Sequence, residues 1–224
     1  MPLPIILWGL GAAVAAYAGK KGYDYYSEEK EKEKRDRRAR ERQQYEEKVS
    51  KAKLASEAFE SQWGERFESL LLVDSNIWMN RDYEDFFKNL EWVMSRFESS
   101  IKMSSVQFDE MINLKNLPYD NPKSKLARCA LARIEYFQNI DLIEIIPMGL
   151  NAKKNAYADP DIIEILVDSL KLHSAMTLVS DDRELRIRAN QILKDKQAPD
   201  FKSIMGTELH KEMKEYQENI QFLS

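Results

Sequence analysis

Asp74 directly follows four apolar residues, Leu70-Leu71-Leu72-Val73, and is followed by Ser75, Asn76 and Ile77. Glu110 comes soon after the apolar stretch Ile101 to Val106. Asp159 precedes Pro160, and Asp181-Asp182 follows Met176 to Ser180. Each acid falls at an expected strand exit or helix start. Singly, an aspartate before a helix reads as a cap; the coincidence of several is what points to chemistry. Carboxylates gathered in one place repel one another, and a divalent cation offsets that repulsion. Oxygen-only ligands suit Mg²⁺ or Mn²⁺.

The elements needed to gather these acids alternate along the chain. Leu70 to Val73 reads as a strand buried on both faces. Tyr83 to Phe97 carries a helical apolar pattern, Ile101 to Val106 reads as a second strand, and Gln107 to Ile112 opens a helix. A loop with Pro118 and Pro122 precedes a helix over Ser124 to Asn139. Leu142 to Ile146 is a third strand, Asp159-Pro160 begins a helix to about Leu172, and Met176 to Val179 is a fourth strand before a helix to about Lys194. This order predicts an α/β fold of three layers, α/β/α, with a mostly parallel central sheet. In such a sheet the strand exits share one edge, where acids distant in sequence meet.

Outside this region the sequence is of another kind. Residues 2–18 carry no charge, near the lower limit of about 17 residues for a spanning helix, and Lys20-Lys21 follow directly. That asymmetry favours an uncleaved, single-pass anchor with the bulk of the chain cytoplasmic, over a signal peptide cut after Ala16-Tyr17-Ala18. Glu28 to Arg42 is charged at every position except Ala39 and cannot form a core. Tyr45, Val49, Ala52, Phe59 and Trp63 recur at helical spacing as one stripe. The expected organisation is an anchor over 1–19, a charged helical spacer over 20–64, the α/β domain over 65–205 and a C-terminal helix over 206–224.

Composition narrows the choices. The 224 residues suit one good-sized domain with appendages, and a net charge of −4 argues against tight nonspecific nucleic-acid binding through bulk charge. One cysteine, Cys129, excludes a disulfide framework and a cysteine-built zinc site; its helical setting reads as a packed thiol. No phosphate-loop signature is present. His173 and His210 lack triad spacing. Haloacid-dehalogenase-like phosphatases need a second aspartate where this chain has Asn76, and a response-regulator receiver would want the Asp181-Asp182 pair at the first helix.

The segments Val73-Asp74-Ser75-Asn76-Ile77, Glu110, Ala158-Asp159 with Ile162, and Leu178-Val179-Ser180-Asp181-Asp182-Arg183-Glu184-Leu185-Arg186 together resemble the PIN domain ribonuclease family, its membrane-anchored bacterial-type members in particular. The resemblance covers about residues 68 to 205. It implies a PIN-like fold and a Mg²⁺- or Mn²⁺-dependent endoribonuclease that hydrolyses phosphodiesters in single-stranded RNA, leaving 5′-phosphate and 3′-hydroxyl ends. By position it makes Asp74, Glu110, Asp159 and Asp182 the catalytic and metal-holding acids, with Asp161 competing for the third place and Asp181 for the fourth. Ser75, Asn76 and Ser180 match supporting polar positions. Arg183, Arg186, Arg188, Lys153 and Lys154 are candidates for a basic rim on the RNA backbone. The expected partners are single-stranded RNA, the membrane through residues 2–18, a second copy of the chain, and an inhibitor that the sequence does not identify. The rival from another class is a catalytically silent, membrane-tethered module that binds RNA or protein.

Overall fold

The computed structural model describes residues 6–147, 159–198 and 200–224, with side chains for all of these except 6–27 and 159. The chain divides into two units, Met1–Lys51 and Ala52–Ser224. Helix α1 runs from Ile6 to Glu68. In the first unit its charged residues are exposed and pair one turn apart, as in Arg37–Glu41 and Arg42–Glu46. Such pairs keep a helix solvated and contribute little else. Among the described residues no helix is long and apolar enough to cross a membrane; the anchor expected at residues 2–18 lies outside those whose side chains are described.

The second unit is α/β. Its strands are β1 (Leu70–Val73), β2 (Ile101–Ser104), β3 (Ile143–Ile146), β4 (Met176–Val179) and β5 (Phe201–Ile204), in the order β3-β2-β1-β4-β5. Every neighbouring pair is parallel, with Val73 beside Val179 and Ser104 beside Ile146. The sheet is therefore wholly parallel, where the sequence predicted a mostly parallel one of four strands. The fifth, β5, is an added edge strand. The helices between strands are α2 (Ser75–Met79), α3 (Glu84–Arg96), α4 (Ser105–Lys115), α5 (Pro122–Asn139), α6 (Asp159–Asp168) and α7 (Arg183–Asp195), and α8 (Gly206–Leu223) closes the chain.

The run of apolar residues in β1 is explained by burial on both faces. Leu71 and Val73 join a core with Phe87, Leu90, Ile134 and Met213, while Leu70 and Leu72 join a second core with Ile162, Leu166, Leu185 and Ala189. Helices thus cover both faces of the sheet. Each fully buried Leu or Val contributes about 1.5–3 kcal/mol, which fixes the strand that ends at Asp74.

The unit begins before residue 65. Phe59, Trp63 and Phe67 of α1 and Leu209, Met213 and Tyr216 of α8 belong to the same core as Leu71 and Val73. Phe59 stacks on Tyr216 with ring centroids 4.3 Å apart, and the Trp63 indole donates to Glu212. The Tyr216 hydroxyl donates to Glu60 and accepts from Arg96; burial and the Glu60 carboxylate push its pKa up to about 12. Cys129 departs from the sequence reading: it is exposed on α5, because the buried stripe of that helix runs through Ala127, Ala130 and Ile134 instead.

Candidate functional site

Strand order reverses between β1 and β4: the chain grows outward from β1 to β3, then crosses back to lay β4 on the other side of β1. Crevices at such a switch point, beyond the carboxyl ends of the strands, are where open α/β sheets bind ligands. Asp74 stands there. Its N–H donates to the Val179 carbonyl at 2.9 Å. The preceding Val73 carbonyl accepts from the Trp78 indole at 3.2 Å and from Gln107 Nε2 at 3.3 Å. Gln107 is held in turn by a reciprocal capping box with Ser104 at the start of α4. The backbone on which Asp74 sits is therefore tied to β4, α2 and α4.

The Asp74 side chain is only 3% exposed. A buried carboxylate is costly unless donors reach it, and two serines do. Ser180 Oγ, from the end of β4, donates to Asp74 Oδ2 at 2.6 Å and accepts the Asp182 N–H at 3.0 Å. That second bond occupies a Ser180 lone pair and directs its proton at Asp74. Ser75 Oγ lies 3.4 Å from Asp74 Oδ1 and 3.5 Å from Glu110 Oε2. One hydroxyl carries one proton, so Ser75 satisfies one of the two carboxylates at a time. Asp74, Ser75, Glu110 and Ser180 thus meet at one place although they come from β1, α2, α4 and the end of β4.

The remaining acids have different surroundings. Asp182 caps α7, its Oδ1 accepting from the N–H groups of Glu184 at 2.7 Å and Leu185 at 3.2 Å. Asp181 accepts from the Tyr83 hydroxyl at 2.7 Å and the Gly206 N–H at 3.1 Å, which joins it to the start of α8. Burial, then the Asp181 carboxylate, holds the Tyr83 hydroxyl well above the usual phenol range. Asp161, in the first turn of α6, is 6% exposed, and its Oδ2 has no hydrogen-bond partner among the described residues. Burial first and nearby Glu164 second push its carboxyl above the ordinary range. Asp159 opens α6, with its side chain outside the described residues. Among the described residues, no group of three or more His, Cys, Asp or Glu side chains is placed to hold a metal ion.

The supporting and basic residues also separate. Asn76 Oδ1 is buried without a hydrogen-bond partner among the described residues. Arg186 donates to the Ser180 carbonyl and braces the end of β4. Arg188 pairs with Glu184, and Arg183 is exposed. Lys153 and Lys154 lie outside the described residues. Sequence reasoning passed over Gln107, Trp78, Tyr83 and Gly206. A signal existed for the first, since Ser104 and Gln107 have the spacing of a capping box; the other three act through contacts that only the tertiary fold reveals.

Fold and site define an α/β protein with a buried carboxylate at its topological switch point. No family model matches the chain, and no curated protein matches it.

Proposed function

We propose that the chain is a divalent-cation-dependent phosphodiesterase of the PIN type, cutting single-stranded RNA at the edge where β1 and β4 end. The observation that carries this reading is the pair of carboxylates, Asp74 and Glu110, meeting across the Ser75 hydroxyl at 3.4 and 3.5 Å, with Asp74 buried. The donors offered are all oxygen, the set that Mg²⁺ and Mn²⁺ take, and Mg²⁺ is commonly held by one or two carboxylates and completed by waters and substrate phosphates. Asp74 and Glu110 would hold the cation, with the third acid supplied by Asp159 or Asp161 from the first turn of α6. When bound, the cation supplies charge stabilisation at the attacked phosphate and activates water.

The protein's own residues then have distinct tasks. Ser180 orients Asp74 by giving its proton to Oδ2, and Asp182 fixes Ser180 through its N–H. Asp182 also caps α7, which fixes the start of that helix just beyond the end of β4. Arg183 and Arg186 begin the same helix and would contact the RNA backbone. Residues 2–18, with Lys20-Lys21 behind them, would keep the enzyme at the cytoplasmic face of a membrane.

The binding-module reading draws on a specific observation as well: Asp181 and Asp182 both spend carboxylate oxygens on backbone N–H groups. Cleavage decides between the two. The full chain should cut labelled single-stranded RNA in Mn²⁺, stop in chelator, and lose activity as Asp74→Asn or Glu110→Gln. Folded Asp74→Asn protein that cuts as well as the parent would overturn the assignment.

A further inference from the structure

Tyr119 sits in the turn between α4 and α5 with 74% of its surface in solvent. Two cations approach its ring: Lys125 Nζ is 5.9 Å from the centroid and Arg128 Cζ 5.6 Å. The turn that presents the ring is firmly built. Asn121 N–H donates to the Pro118 carbonyl at 2.9 Å, and the Asn121 side chain caps α5 by accepting from Lys123 N–H at 2.9 Å. The Lys115 carbonyl that ends α4 accepts from buried Ser124 at 2.9 Å and from Arg128 at 3.2 Å.

The charge around this ring is unbalanced. Among the described residues Lys123, Lys125 and Arg128 have no ion-pair partner, whereas Lys88, Arg188 and Lys211 are each paired within their own helices. Asp120 is the single acid of the turn. An exposed aromatic among cations without carboxylate partners suits a flexible polyanion with flat faces: bases stack on the ring and phosphates meet the cations. The position suits it too. Glu110 lies on the same helix, five residues before Lys115, about 8 Å at the α-helical rise.

We propose that Tyr119, Lys123, Lys125 and Arg128 form a stacking platform for single-stranded RNA, holding the strand a few nucleotides from the Asp74–Glu110 site. The inference rests on the nuclease reading for its choice of ligand. Its test does not depend on catalysis. Binding of the full chain to a fluorescent oligouridylate of about twelve nucleotides is measured by anisotropy in chelator. Tyr119→Ala should weaken binding about ten-fold and Tyr119→Trp should restore it, because stacking tolerates any large aromatic ring. Lys125→Gln with Arg128→Gln should lower the slope of log affinity against log salt by about 1.4, the value for two released contacts on a single strand. The platform is overturned if the parent does not bind the RNA, or if Tyr119→Ala binds it unchanged. It is also overturned if the variants lose only phosphatidylserine-containing vesicles, which would make the patch a membrane contact. RNA binding that depends on Tyr119, without cleavage in Mn²⁺, would sustain the platform and sink the nuclease reading alone.

Discussion

Asp182 caps α7, the sequence resemblance also counts it among the metal-holding acids, and two substitutions separate these roles. Its Oδ1 accepts the N–H groups of Glu184 at 2.7 Å and Leu185 at 3.2 Å at the start of α7. Asp182→Ala strips both bonds, a loss of about 1 kcal/mol for an N-cap. It also removes a negative charge from the helix amino end, worth about 0.3–1 kcal/mol. Asp182→Asn keeps the cap and loses only the charge. For a folded unit of this size each kcal/mol moves the melting temperature by about 2–4 °C. Asp182→Ala should therefore melt about 3–8 °C below the parent and Asp182→Asn within about 4 °C of it. Thermal unfolding reads the first task, and cleavage of labelled RNA in Mn²⁺ reads the second. If the carboxylate takes part in chemistry, the Asn variant stays folded and is inactive. Parent-like melting of Asp182→Ala would refute the capping argument, and parent-like cleavage by Asp182→Asn would remove Asp182 from the reacting groups.

Trp63→Ala empties a fully buried site that stacks on Phe67 at 5.3 Å. It should cost about 3–5 kcal/mol in urea unfolding; a loss below about 1 kcal/mol, as at exposed positions, would show that α1 contributes no core. Gly206→Ala would set a methyl group 2.8 Å from Ile77 Cδ1 and 2.9 Å from the Tyr83 ring, costing about 1–3 kcal/mol, and calorimetry showing an unchanged transition would refute that contact. His210 has Nε2 buried without a hydrogen-bond partner among the described residues. Burial lowers its pKa from 6.5, outweighing Asp85, while Lys214 acts in the same direction as burial. The unfolded chain therefore takes up the proton first, so this contribution to stability is intact above pH 6.5 and is lost as pH falls from there toward the lowered folded value. His173 has the same sign, from burial first and Lys102 second. His210→Gln should show a shallower decline in acid-titrated stability, and an unchanged slope would refute this.

The parts of the fold legible in the sequence were those with a local pattern. Leu70 to Val73 and Met176 to Val179 are buried at all four positions, so they appear as apolar stretches broken only by Thr177, and the acids that follow them could be placed at strand ends. β5 escaped notice because Phe201-Lys202-Ser203-Ile204 is half-exposed at the sheet edge and has neither a run nor a clean alternation. The stripe of Phe59 and Trp63 was visible, but its distant partner was not: only the tertiary fold shows Phe59 against Tyr216. The same holds at the site. Ser180-Asp181-Asp182 sets two acids side by side, and the sequence preferred Asp182 only through the resemblance. Distant Tyr83 and Gly206 engage Asp181, and the N–H groups of α7 engage Asp182. Cys129 sits one position off the buried stripe of α5, a phase that composition does not reveal.

The bond from Ser180 to Asp74 spans 106 residues, and that separation has a temporal meaning. During synthesis β1 is complete long before β4 exists, and β4 must then insert beside it rather than at the growing edge of the sheet. Until it does, Asp74 lacks the Ser180 proton that orients it and the Val179 carbonyl that receives its N–H. A nascent or proteolytically shortened chain ending before residue 176 would carry Asp74 without the Ser180 and Val179 partners that orient it. The orientation of Asp74 is therefore settled late, by a strand made about a hundred residues after the one that carries it.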